Sequence, residues 1–170
     1  MNVYLIWLLR IVHIGAGAFW FGGVIMMTFF IGPTVREMGE AGPKFVALLV
    51  RNRRFTTRMS IAAGLTVLAG FTLYWIDSNG FTSNWMTSGA GTGFGIGAVF
   101  GAVGFVYGIL IGRTTNALVN LGGQIQGMPA PEQLATMQSL QKKQALATQV
   151  TAYSLILSVI FMSIARYFVF

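Results

Sequence analysis

The sequence predicts an all-α integral membrane protein, a bundle of four transmembrane helices. Apolar residue types make up 55% of the 170 residues and charged types 9%, whereas roughly a quarter of an ordinary soluble domain is charged. Four windows reach the length of about 20 apolar residues that a helix needs to cross a bilayer. With one His and no Cys, a disulfide scaffold and a zinc site of several His or Cys ligands are excluded.

The predicted spans lie within one domain and are followed by links of different character. We expect Gly32-Pro33 to end the first span, since this pair stops helices. Apolar residues on one face and basic residues at the end predict a short interfacial helix between spans 1 and 2. A proline followed by an acid predicts a polar helix leading into span 4. The spans are 4–31, 59–76, 93–112 and 148–168 of the domain 1–170, the interfacial helix is 43–55 and the polar helix is 131–149.

The basic residues are concentrated on one side of the predicted bundle. Nine of the eleven Lys and Arg lie in the two links on that side, and residues 77–92 between spans 2 and 3 contain none. By the positive-inside rule, this side is cytoplasmic and both termini are outside. The sequence pI of 10.4 is thereby explained by topology, and we expect the lipid bilayer, not nucleic acid, to be the partner.

Span 3 carries six glycines at spacings of 4, 4, 3, 4 and 4 residues. Such spacing puts them on one helix face without side chains, which favours close packing against another helix. The same face is suited to packing on a second copy or a larger membrane complex, or to forming a flat wall for a planar cofactor. The glycines are Gly93, Gly97, Gly101, Gly104, Gly108 and Gly112.

The candidate site residues lie on spans 1 and 4. Arg10 and His13 are three residues apart and share a helix face, which Gly17 and Trp20 continue. An ionisable residue at membrane depth is costly and indicates function. Span 4 carries further candidates at comparable depth, namely Met162 and Arg166.

These residues are consistent with a site for haem b. His13 would be the axial and metal ligand, with Met162 opposite it, and the two arginines would bind the anionic propionates. The same residues would also suit an anionic lipid headgroup or a quinone. In the alternative interpretation, Arg10 and Arg166 extend outward to the interface and His13 hydrogen-bonds a neighbouring helix.

The opening of the chain resembles a loose group of bacterial four-span membrane proteins. The run from His13 to Gly23, with Trp20 and a following Gly32-Pro33, is similar to the copper resistance protein D-like domain and to HemJ-type protoporphyrinogen oxidases. The resemblance implies a four-helix bundle in a bacterial inner membrane, with both termini periplasmic and haem b or copper bound by the first-helix His. HemJ-type enzymes carry a Lys in a later span, and none of these spans has one.

Three functions remain open from the sequence. The first is a haem-b-binding membrane protein acting in electron transfer or as a cofactor-bearing subunit. The second is a non-catalytic accessory subunit that packs in a larger membrane complex through the glycine face. The third is a small transporter of copper or an anion. No Walker loop, nucleophile elbow or zinc-protease helix is present, so whether the chain is an enzyme stays open.

Overall fold

The computed structural model describes residues 2–125 and 127–169; residues 1, 126 and 170 of the predicted domain lie outside them. Within those two ranges the chain is helical and has no β-strand. Four helical segments are long and apolar enough to cross a membrane, which confirms the predicted all-α bundle. The α-helices are α1 (Val3–Met26), α2 (Gly32–Glu37), α3 (Ala41–Ala47), α4 (Phe55–Asp77), α5 (Gly89–Gln124) and α6 (Pro131–Ile164).

The first span extends beyond Gly32-Pro33, where it was expected to end. A π-helical segment, Met27–Ile31, joins α1 to α2, so that the helix continues to Glu37. In this segment the Gly32 N–H bonds the carbonyl of Met27, five residues back. A proline in a regular helix lacks a donor and crowds the carbonyl four residues back. The wider π turn directly before Pro33 relieves that crowding.

The short helix expected between the first two spans is present. It consists of α3 and a second π-helical segment, Leu48–Asn52, and so covers residues 41–52 instead of 43–55. Arg54 follows with a left-handed backbone, φ 51°, which turns the chain into α4. The second span therefore begins at Phe55, four residues before the predicted start.

α5 and α6 are much longer than the predicted third and fourth spans. They contain 36 and 34 residues, which corresponds to about 54 and 51 Å at a rise of ~1.5 Å per residue. Because the hydrocarbon layer is only about 30 Å thick, both helices continue past the membrane at the basic end. The polar helix predicted before span 4 is thus the first half of α6 itself.

The glycine face of α5 is used within the chain, where it packs against α6. A Cβ on Gly97 would lie 3.0 Å from Met162 Cγ, and one on Gly104 would lie 2.9 Å from Leu155 Cδ2. The Ser158 hydroxyl donates to the Gly97 carbonyl at 2.8 Å. The interpretation of this face as a close-packing surface is confirmed, and the packing joins α5 and α6 into one pair.

The bundle consists of two tightly packed pairs with looser contact between them. α5 packs along α6 and α1 along α4, whereas α1 and α6 meet at few positions. The buried cluster where the pairs meet contains Trp20, Ala62, Ala63 and Leu155. Large apolar side chains cover the outside, as a lipid environment requires, including Trp7, Ile11, Ile14, Leu68 and Phe71, each more than half exposed.

Candidate functional site

His13 lies in the contact between α1 and α4. Its Nδ1 is 2.8 Å from the main-chain oxygen of Thr66, and since a carbonyl oxygen only accepts, Nδ1 carries the proton. The ring lies against Gly70, where a Cβ would be 2.6 Å from His13 Cε1. One turn along, Gly17 lies against the Thr66 side chain. In the neutral form of the ring, this hydrogen bond leaves Nε2 as the nitrogen without a proton.

The other predicted site residues make contacts elsewhere. Arg10 is exposed on α1, and Arg166 is exposed in the turn after α6. Met162 packs against Gly97 of α5, and Trp20 is buried against Phe105. His13 and Gly17 share Thr66 as a neighbour.

A large cavity lies between the helices at the basic end of the bundle. Its volume is about 1180 Å³. The end of the first span, the interfacial helix, the start of α4, the end of α5 and the start of α6 all contribute to its wall. Of the six predicted site residues, Trp20 lines it and the other five do not.

The deep end of the cavity is apolar. Trp20 is 5% exposed and meets Phe105 edge to face, with ring centroids 6.3 Å apart. Met59 and Val24 pack against the same buried cluster and also line the cavity. Phe105 lies about 15 Å from Thr115 along α5, at a rise of ~1.5 Å per residue.

Two glycines of α5 expose helix backbone to the cavity. Gly108 and Gly112 both line it. A Cβ on Gly108 would lie 4.0 Å from Trp20 Cζ2, and one on Gly112 would meet nothing within 4 Å. The glycine face therefore has two parts. Gly93 packs on the turn directly after α6 and the next three glycines pack on α6, whereas the last two are open to the cavity.

A polar band separates the apolar end from the basic mouth. Gln144 of α6 donates to the Thr115 hydroxyl of α5 at 2.6 Å, which fixes the two helices at this level. Thr115 is buried, so the pair also satisfies a polar group that water reaches poorly. Further uncharged polar side chains line this level, namely Thr28, Thr56, Ser60, Gln141 and Thr148.

The mouth of the cavity is lined by four cations, and no Asp or Glu of residues 2–125 or 127–169 lines the cavity. Arg51 belongs to the interfacial helix, and its Nη2 donates to the Val119 carbonyl of α5 at 3.2 Å. It thereby ties the interfacial helix across the mouth. All four cations are exposed: Arg36, Lys44, Arg51 and Lys142.

Two aromatic rings meet beside the cavity, between the first span and α6. Phe29 of the π-helical segment and Tyr153 of α6 meet edge to face with centroids 6.4 Å apart. Both line the cavity and both are more than 40% exposed. These rings therefore join the first span to α6 at the edge of the cavity.

The cavity lining provides groups for binding: apolar surface, amide and hydroxyl groups, and cations. No cluster of three or more His, Cys, Asp or Glu that could hold a metal ion occurs among the described residues. Sequence reasoning identified Trp20 and the glycines but not the Thr115–Gln144 pair. The sequence does contain a pattern that predicts a polar surface on α6. Its members are spaced so that they share one helix face: Gln138, Gln141, Gln144 and Thr148.

Comparison with known proteins adds no family. No family model matches the chain, and neither the curated proteins nor the solved structures contain a match. The resemblance to the copper resistance protein D-like and HemJ-type group thus remains an expectation from the first helix.

Proposed function

We propose that this chain is a membrane protein that binds a lipid-like molecule in the cavity at its basic end. The observation that carries the proposal is the lining, which passes from the apolar Trp20–Phe105 contact through a polar band to a basic mouth. An amphiphile presents the same sequence of surfaces. The volume of about 1180 Å³ exceeds the roughly 300–1,000 Å³ of most small-molecule pockets.

The bilayer is the natural source of such a molecule. Phe29 and Tyr153 form a ring contact between the first span and α6, both line the cavity, and both are more than 40% exposed. Rotation of exposed side chains takes picoseconds to nanoseconds. A lipid-like ligand would therefore enter sideways between α1 and α6 without separation of the two tight helix pairs.

The test fills the cavity without disturbing the bundle. Gly112→Leu adds a large side chain where nothing lies within 4 Å of its Cβ position. The control is Gly15→Leu, since Gly15 also has nothing within 4 Å, is exposed on α1 and does not line the cavity. We expect mass spectrometry of the purified proteins to find a bound amphiphile in wild type and Gly15→Leu, and much less in Gly112→Leu. Equal amounts in all three would contradict the proposal.

A second candidate function is haem b binding through His13, for electron transfer or as a cofactor-bearing subunit. The hydrogen bond from Nδ1 to the Thr66 carbonyl favours it, because an axial His usually donates its other ring nitrogen in this way. In this proposal His13 would be the single protein ligand, because the Met162 side chain packs on Gly97. Bound haem would supply one-electron chemistry, and the exposed Arg10 and Arg166 would hold its propionates.

The haem proposal has a spectroscopic test. Protein purified from haem-replete cells should show a Soret band that His13→Ala abolishes and that Arg10→Gln and Arg166→Gln weaken. Met162→Leu should leave the band in place, since Met162 is assigned to packing. Colourless wild-type protein would remove this candidate and leave the cavity proposal intact.

The accessory-subunit and transporter hypotheses depend on different surfaces of the chain. Gly97, Gly101 and Gly104, on the glycine face that was expected to receive a partner, pack on α6 within the chain. That surface therefore does not favour an accessory role. The anion branch of the transporter hypothesis is favoured by the cationic mouth. Uptake of an anion into vesicles that contain the purified protein would distinguish transport from binding.

A further inference from the structure

The charged residues that line the cavity mouth are all cations. Three acids lie at the same end of the bundle, Glu37, Glu40 and Glu132, but none of them lines the cavity. The four cations there come from three separate parts of the chain: the end of the first span, the interfacial helix and α6. Concave sites lined by charge of one sign concentrate ions of the opposite sign. The lining therefore selects against a cationic ligand.

Two of the cations, Arg51 and Lys142, line the cavity from different elements. The Arg51 guanidinium lies over α5, with Nη2 bonded to the Val119 carbonyl and 2.9 Å from where a Cβ of Gly123 would be. A guanidinium has five N–H donors, and this bond uses one of them. Lys142 lies on α6, two residues before Gln144 of the polar band. If both cations bound one oxyanion, the rest of the ligand would extend into the cavity past the polar band to the apolar end.

We infer that the ligand carries an oxyanion head, a phosphate or carboxylate, bound at the mouth by Arg51 and Lys142. Arginine pairs with the oxygens of such groups in a two-point geometry and lysine contributes a mobile point charge. This inference rests on the proposed function, because it assigns the head of the amphiphile whose tail occupies the Trp20 end. The bound oxyanion is either the headgroup of an anionic lipid or a free anion that enters by the mouth.

The experiment compares two lipids, one with and one without an oxyanion in the head. Wild-type protein in neutral detergent is titrated with phosphatidylglycerol or with diacylglycerol of the same acyl chains, and bound lipid is counted by native mass spectrometry. We expect about tenfold tighter binding of phosphatidylglycerol, and about a tenfold loss of that preference in Arg51→Gln/Lys142→Gln, since hydrogen bonds to charged groups contribute this order of free energy. Diacylglycerol binding should change little.

A matched control separates the site from general surface charge. Arg53→Gln/Lys143→Gln removes the same charge at the same end of the bundle, but neither residue lines the cavity. Equal losses in the two double variants would overturn the inference. Because Arg51 also bonds Val119, the single variant Lys142→Gln, with its thermal unfolding measured, shows whether lost binding reflects the site. A reduced preference at unchanged melting temperature supports the assignment, and an unchanged preference overturns it.

The outcomes also separate this inference from the proposed function. Equal binding of both lipids, abolished by Gly112→Leu, would overturn the oxyanion head and keep the amphiphile proposal. Saturable binding of inorganic phosphate that is lost in Lys142→Gln, with no lipid bound, would support the oxyanion site and overturn the amphiphile proposal. Absence of lipid and phosphate binding would overturn both.

Discussion

The His13 ring joins α1 to α4 through one hydrogen bond, from Nδ1 to the main-chain oxygen of Thr66. Its depth and its neighbours Gly17 and Trp20 marked it in the sequence as unusual. The structure shows the hydrogen bond to a neighbouring helix that was the alternative interpretation, with Thr66 as acceptor. No residue pattern could identify the acceptor, since it is a main-chain oxygen 53 positions away whose position depends on how α1 and α4 pack.

Gly70 is predicted to be essential for this contact. Gly70→Ala would place a Cβ 2.6 Å from His13 Cε1, and the ring cannot retreat without losing its bond to Thr66. We expect a loss of about 1–3 kcal/mol in the free energy of unfolding, as for other overpacked sites. The measurement is thermal or denaturant unfolding in detergent.

Two further variants test the reason for that loss. Gly64→Ala lies on the same helix with nothing within 4 Å of its Cβ position, and it should be nearly neutral. In the background His13→Ala, the added methyl of Gly70→Ala should cost much less, because the ring that it meets is gone. Equal costs with and without the imidazole would refute the steric explanation.

At the scale of elements, hydropathy located the spans and could not locate the helix ends. The windows 93–112 and 148–168 are the apolar middles of helices that run from Gly89 to Gln124 and from Pro131 to Ile164. Outside the membrane a helix needs no continuous apolar run, only a face to pack. In the first span, Pro33 was expected to end the helix, and the preceding π-helical segment has no simple signature in composition.

The close packing of α5 on α6 gives a prediction at this scale. Gly93→Ala would bring a Cβ within 2.8 Å of Ala165 Cα, a main-chain atom that cannot move aside alone. We expect a loss of about 1–3 kcal/mol in unfolding free energy. Gly112→Ala, on the same face but open to the cavity, should be close to wild type. Equal unfolding midpoints for the two variants would show that the glycine face does not act as the α5–α6 contact.

At the scale of the whole molecule, the sequence predicted the four-span bundle and the concentration of basic residues at one end. The cavity could not be predicted, because it is a space left by packing and belongs to no segment. The sequence identified some of the lining residues, but for separate reasons. Trp20 was a predicted site residue, Gly108 and Gly112 belonged to a flat helix face, and Lys142 was one of the charges that indicate topology. Only their common location in the folded chain makes them one candidate binding site.

The proposed orientation, with both termini outside, predicts a labelling pattern. The chain has no Cys, so single substitutions report one position each. Asn84→Cys and Ser139→Cys both place the thiol at an exposed position, between α4 and α5 and on the basic half of α6, respectively. A membrane-impermeant maleimide applied to intact cells should label the first and spare the second, and the second should react only after lysis. The opposite pattern would reverse the topology.

The most direct measurement of the central claim is an experimental structure of the protein purified in the presence of its native lipids. The account predicts elongated density inside the bundle, with its apolar part against Trp20 and Phe105 and its head between Arg51 and Lys142. A bundle whose helices close on that space, or a space that contains only water, would contradict it.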